Sequence, residues 1–150
     1  MKAEQTTDTD FIVKCVTHPL VWDHLTDDAS PDVEFYFPPM NVLWVRVEDY
    51  GVFMLTKLNC ATHEVHTILL PSAKGKAVEI GKTALQWAWD NTDAKRIITR
   101  VPEFNPLALR LALKVGFVKY GVNTKSFQKR GVLYDVIELG INKGESSCQQ

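Results

Sequence analysis

Runs of apolar residues with a period of two alternate along the chain with runs whose period is near 3.6, which predicts a layered mixture of strands and helices. Residues 10–16 (DFIVKCV), mostly apolar, are expected to form a strand. His18 to Leu25 (HPLVWDHL) predicts a short helix, capped by Thr17, with Pro19 in the first turn where a missing amide does no harm. Residues 33–37 (VEFYF) are expected to form a further short strand before Pro38 and Pro39. Three strands in antiparallel order then follow at 42–48, 51–58 and 61–70, rich in β-branched and aromatic residues. Asp49-Tyr50-Gly51 and Asn59 supply the turns between them, and Pro71 ends the third.

The second half reads more sharply. Residues 76–91 predict a helix in which Ala77, Gly81, Ala84 and Ala88 fall on one stripe. Gly81 costs roughly 1 kcal/mol of helix propensity relative to alanine, so the stripe implies close approach to something flat, such as a sheet. Residues 96–101 (RIITRV) predict a strand. Asn105 then stands as the cap and Pro106 as the first residue of another helix, which Gly116 terminates. Strands over 117–127 and 132–139 follow, joined by a turn at 128–131. The expected order is strand, helix, three strands, helix, strand, helix, two strands. This is an α+β domain with α/β/α layers and a mixed, mainly antiparallel sheet of six to seven strands.

Composition narrows the function classes. The 150 residues carry 17 Lys and Arg against 18 Asp and Glu, a net charge of -1, which disfavours a nucleic-acid binder built on bulk positive charge. No apolar run approaches the roughly 20 residues of a membrane span, and the polar start MKAEQTTDTD is unlike a secretory signal. A chain of this length buries roughly 70% of its extended surface, so it needs neither disulfide nor metal to fold. Cys15, Cys60 and Cys148 have no paired spacing, and Cys15 and Cys60 are expected as small apolar filler in strands. A reducing, cytoplasmic setting is the expectation. We read one domain over 1–141, followed by a polar, frayed tail over 142–150.

Two segments carry a family resemblance. Asn105-Pro-Leu-Ala108, with Gly116-Phe117 eight residues further on, is similar to the Asn-x-x-Ala…Gly-Phe pattern of the GNAT superfamily of acyl-coenzyme A N-acyltransferases. Leu69-Leu70-Pro71 leading into Lys74-Gly75-Lys76-Ala77 resembles that family's strand end and pyrophosphate loop. The order of strands and helices resembles that family's too, so that the resemblance covers about residues 10–141, and the compactness resembles that of short phage-encoded members. The resemblance implies acetyl-coenzyme A as cosubstrate and direct transfer to a primary amine of a small molecule or protein. It also implies backbone contacts from Ile68, Leu69 and Leu70 to the pantetheine arm, and a place near that arm for Asn105 and Ala108. Physical chemistry agrees: Lys74, Gly75, Lys76 and Ala77 open a helix, whose free amides and positive dipole end suit a pyrophosphate.

The chain departs from the pattern twice. The loop lacks a clean register, since Ser72 or Glu79 falls where another residue type is usual, and an inward Glu79 would repel phosphate. Ala112 stands where many relatives place a tyrosine that protonates the departing thiolate; Tyr120 and Tyr134 lie elsewhere. The base that deprotonates the amine is left between Glu64, favoured by resemblance, and His66, favoured by its ordinary titration range. Period-two geometry puts Glu64 and His66 on one face and His63 on the other, too few ligands for catalytic zinc, so no metal is expected. Asp23, Asp27 and Asp28 read as a solvated acidic helix end or as a greeting for a cationic amine. Phe35, Tyr36 and Phe37 are an apolar surface that could join two copies into a homodimer. The competing function is a catalytically inactive GNAT-like structural or regulatory protein, such as a virion component, acting through protein contacts.

Overall fold

A computed structural model describes residues 1–145. Seven strands form one sheet in the order β1-β2-β3-β4-β5-β7-β6. These are β1 (Ala3–Gln5), β2 (Leu43–Val47), β3 (Gly51–Lys57), β4 (Thr62–Leu69), β5 (Arg96–Pro102), β6 (Val118–Lys129) and β7 (Val132–Asn142). Helices α1 (Thr9–Val16) and α2 (Pro19–Leu25) precede β2, α3 (Ala77–Asn91) crosses from β4 to β5, and α4 (Pro106–Val115) crosses from β5 to β6.

Alternation along the strands sorts the side chains into two cores. On one face Trp44, Val52 and Ile68 pack against Phe11, Ile12 and Cys15 of α1 and Val21 of α2. On the other, Val45, Phe53, Leu55, Ile97 and Leu139 pack against Ile80, Leu85 and Trp89 of α3 and Val115 of α4. The result is the α/β/α layering expected from the sequence.

Three expectations are corrected. Residues 10–16 are helical, because Asp8 caps them, its carboxylate accepting from the Phe11 amide at 3.1 Å. Phe11, Ile12, Cys15 and Val16 then fall on one buried helical stripe. Thr17 ends this helix instead of starting the next, its hydroxyl donating to the Val13 carbonyl at 2.6 Å, while His18 caps α2 through Nδ1. Residues 33–37 form no strand; Val33–Phe35 is a single 3-10 turn. The sheet's first strand lies instead in the polar N-terminus, where Ala3 pairs Val47 and Gln5 pairs Val45. Its side chains are mostly exposed, so no hydrophobic alternation announced it.

Cys15 is buried, but in a helix, and burial pushes its thiol up to about 11; Cys60 is exposed in the β3–β4 turn. At the other end β7 runs on to Asn142, and the Lys143 amide donates to the Lys95 carbonyl at 2.9 Å, so order extends past 141. Cys148 and the rest of the expected tail, 146–150, lie outside the described residues.

The acids at the end of α2 are engaged by the β6–β7 hairpin. Arg130 and Gly131, both at positive φ, form its two-residue turn. The Asp28 carboxylate accepts from their amides at 2.7 and 3.0 Å, which holds it below the usual carboxylate range. Asp23 takes the Arg130 guanidinium at 2.6 Å, and Lys129 Nζ donates to the Thr26 carbonyl at 2.7 Å.

Candidate functional site

β4 and β5 are the parallel neighbours, and they pair only from Thr62 with Arg96 to Glu64 with Ile98. Beyond Glu64 the ladder ends, although β4 keeps its pairing with β3 as far as Leu69 and β5 keeps its pairing with β7 as far as Pro102. The two strands therefore splay, and a cavity of about 810 Å³ fills the opening. It is lined from both sides of the sheet: by His24 and Leu25 of α2 and Ser126 and Phe127 of β6, and by small residues of α3 and α4.

Backbone direction follows from strand alternation. The Leu70 amide donates to the Tyr50 carbonyl on the β3 side at 2.8 Å, and the Val65 carbonyl accepts from Thr99 Oγ1 on the β5 side at 3.1 Å. Residues of odd number thus turn their amides and carbonyls toward the opening. Leu69, with Thr67, presents them to the cavity; those of Ile68 and the Leu70 amide turn toward β3, the Leu70 carbonyl accepts from the Ala73 amide at 2.9 Å, and the Ile68 side chain is buried under α1.

Past the end of β4 the chain makes a 3-10 turn at Pro71–Ala73 and enters α3 through Lys76, which gives no side-chain cap. The amides of Gly75, Ala77, Val78 and Glu79 have no acceptor within the described residues. Gly75 sits at φ 84, a left-handed conformation that favours glycine, and is exposed with open space where a side chain would stand. Lys74, Gly75 and Ala77 line the cavity. Lys76 does not: its ammonium donates to the Tyr50 hydroxyl at 2.8 Å. Glu79 lies on the far side of α3, in a shallow groove with Lys82 and Trp87, so the feared repulsion is averted.

Along α3, Ala77, Gly81, Ala84 and Ala88 face the cavity. The close neighbour of Gly81 is helix α4, since an added Cβ would stand 2.8 Å from Val115 Cγ2. Asn105 Oδ1 caps α4 through the Ala108 amide at 3.3 Å, and both residues line the cavity, as does Ala112. Tyr120 and Tyr134 are not among the lining residues. Tyr120 lies under the Arg96 guanidinium, and Tyr134 packs edge-on against Phe104.

Glu64 and His66 both reach the cavity from the α1–α2 face. Glu64 is buried and held by Arg100 of β5 in a two-bond clamp, Nε to Oε2 at 2.9 Å and Nη2 to Oε1 at 2.8 Å. His66 is only partly exposed. Its Nε2 is 3.8 Å from Glu64 Oε2, and its Nδ1 is buried with no partner. Desolvation outweighs the pull of Glu64 and holds its imidazole below the ordinary 6.5, hence neutral at pH 7. Sequence reasoning missed Arg100, since nothing in RIITRV names its partner, and missed His24 and Ser126, which only tertiary packing brings to the opening. Among the described residues, no three His, Cys, Asp or Glu side chains gather to hold a metal ion. No described helix is long and apolar enough to cross a membrane.

No family model matches the chain, and no curated protein does. Among solved structures it is similar to spermidine N-acetyltransferase from Vibrio cholerae in complex with CoA and spermine. The identity is 19% over 97% of this chain and 96% of that chain, with a TM-score of 0.75. A mutant form of the same enzyme gives 19% identity over 99% of each chain and a TM-score of 0.77. At that level of identity the likeness is one of fold. The chain has the α+β fold of the GNAT N-acetyltransferases, in agreement with the resemblance of the Asn105–Phe117 segment.

Proposed function

We infer that this chain is an acetyl-coenzyme A-dependent N-acetyltransferase that transfers the acetyl group directly to a primary amine. The observation that carries this reading is the cavity that passes between β4 and β5 and reaches Gly75 and Ala77 at the start of α3, where the amides of Gly75, Ala77, Val78 and Glu79 are unpaired among the described residues. Those amides, the α3 dipole and Lys74 suit a pyrophosphate. The edge groups of Thr67 and Leu69 can take the amides of a pantetheine arm as an added strand would, with Asn105 and Ala108 on the opposite wall.

Acetyl-coenzyme A supplies a thioester whose carbonyl the acceptor nitrogen attacks as the thiolate leaves. The chain's task is to align the two and to remove a proton from the amine. His66 is the base in this reading: it is neutral at pH 7 and lines the cavity. Glu64 is committed to Arg100 and acts as a strap across the point where the strands part. Ala112 stands in the tyrosine's usual place, and among the described residues no tyrosine lines the cavity.

Calorimetry with acetyl-coenzyme A and a thiol-release assay with an amine panel test the reading. We expect heat of binding, and His66→Gln is expected to lower kcat about 100-fold with acetyl-coenzyme A affinity unchanged. Absence of both heat and thermal shift at millimolar acetyl-coenzyme A would refute it in favour of a scaffold that acts through protein contacts.

A further inference from the structure

The cavity lacks what a cationic acceptor would need. Its acidic lining residue is Glu64, and Arg100 neutralises it. Opposing charge is concentrated in the segment that holds α2 and the loop after it. From residue 15 to residue 45 the chain has no Lys or Arg, yet it carries Asp23, Asp27, Asp28, Asp32 and Glu34. The hairpin uses Asp23 and Asp28. Asp32 and Glu34 are exposed and form no ion pair among the described residues, and the Asp27 carboxylate turns back on its own loop, accepting from the Ala29 amide.

The same segment exposes apolar side chains. Phe35 closes the 3-10 turn and the backbone is extended at Tyr36, where successive side chains point to opposite sides. Tyr36 turns in, edge-on to Trp22 at 5.7 Å, and Pro38 is buried. Phe35 and Phe37 turn out, 70% and 77% exposed, with Val33 and Met40 also exposed nearby in sequence. Two outward phenylalanines one residue apart, beside unpaired acids, form a patch that is apolar and negative together. Six residues, 26–31, connect this patch to the end of α2, whose His24 and Leu25 line the cavity.

We propose that the 32–40 segment is a docking surface for a basic, apolar polypeptide, which delivers a lysine or N-terminal amine to the α2 side of the cavity. This rests on the acetyltransferase reading for its consequence, but not for its binding. Charge complementarity selects the partner: acids beside Phe35 and Phe37 disfavour an anionic lipid surface and favour lysines interleaved with aliphatic residues. A small polyamine can meet the acids, but its short methylene runs cover less of the two phenylalanines than the leucine side chains of a peptide do.

The test uses the full chain without acetyl-coenzyme A and reads the fluorescence anisotropy of a labelled peptide of alternating lysine and leucine. A glutamate–leucine peptide and spermidine are the comparisons. The lysine–leucine peptide is expected to bind. Phe35→Ser combined with Phe37→Ser should weaken it about ten-fold or more, and Asp32→Asn combined with Glu34→Gln should weaken it and flatten its salt dependence. All four side chains are solvent-facing, and circular dichroism checks that each variant is folded. The proposal is overturned if the glutamate peptide binds as well, if the phenylalanine changes have no effect, or if spermidine displaces the peptide at equal concentration. It is also overturned if sedimentation finds a wild-type dimer that the phenylalanine changes dissociate while no peptide binds, because the occupant is then a second copy. Peptide binding without acetyl-coenzyme A binding would sustain the surface and sink the catalytic reading; the reverse would sink the surface alone.

Discussion

The clamp between Glu64 and Arg100 should respond unequally to loss of its two ends. Glu64 is buried, with a side chain 8% exposed, whereas the Arg100 side chain is 46% exposed. Arg100→Met strands a carboxylate out of water with two hydrogen bonds gone. Breaking a buried pair in this way costs about 3–5 kcal/mol, and we take about 3 because one partner is half solvated. Glu64→Gln leaves a guanidinium that water can reach and an amide oxygen that still accepts one bond, a loss of about 1 kcal/mol. For a chain of this size each kcal/mol is worth about 2–4 °C, so Arg100→Met should melt about 6–12 °C low and Glu64→Gln only about 2–4 °C low. Thermal and urea denaturation from acid to neutral pH read the difference. The Arg100→Met deficit should shrink as pH falls, since protonation removes the stranded charge from the folded state. Equal losses in the two variants, or a deficit indifferent to pH, would refute the assignment of the buried end to Glu64. Acetyl transfer by Glu64→Gln should stay within a few-fold of wild type; a collapse there would return the role of base to Glu64.

Further outcomes follow from buried imidazoles and from one tight strand contact. His63 is 6% exposed with Nδ1 unpartnered, and desolvation lowers its titration below the ordinary 6.5, as it does for His66. Such groups stabilise the fold above pH 6.5 and lose that contribution as pH falls through their folded values, with a limiting slope of about 1.4 kcal/mol per pH unit each. Urea midpoints should drop on acidification from 6.5 toward about 5, and His63→Gln should flatten that profile; an unchanged profile would rule out His63 as a contributor. Gly51→Ala should cost stability heavily, because a Cβ there would meet the Ile68 carbonyl oxygen at 2.2 Å and Leu69 Cα at 2.9 Å, both backbone. Gly140→Ala should cost little, since its close neighbour is the movable guanidinium of Arg96. Melting temperatures of the two variants compare them directly, and a Gly140→Ala as damaging as Gly51→Ala would count against this geometry.

Much of the fold was written in local chemistry. The Asn105-Pro106 start and the Gly116 stop of α4 act within one turn, and each strand from β2 to β4 is bounded by its own turn residues, so neighbours in sequence sufficed to read them. The first sixteen residues were not legible in this way. DFIVKCV satisfies a strand and a helix about equally, and the Asp8 carboxylate together with the buried stripe under Trp44 decided for the helix. β1 was invisible because a three-residue edge strand needs hydrogen bonds from β2 and no apolar side chains of its own.

The site divides along the same line. Sequence alone brought forward Gly75, Ala77, Asn105, Glu64 and His66, because loops, caps and period-two faces are local. It could not tell that β4 and β5 part company after Glu64, that Arg100 would take the Glu64 carboxylate, or that Lys76 would turn away to Tyr50. Those facts depend on which strands become neighbours and on how far they remain paired. Hydrogen-bond register across 30 or more residues of intervening chain is a property of the closed sheet, where burial and pairing are settled together, and it has no signature in any single segment.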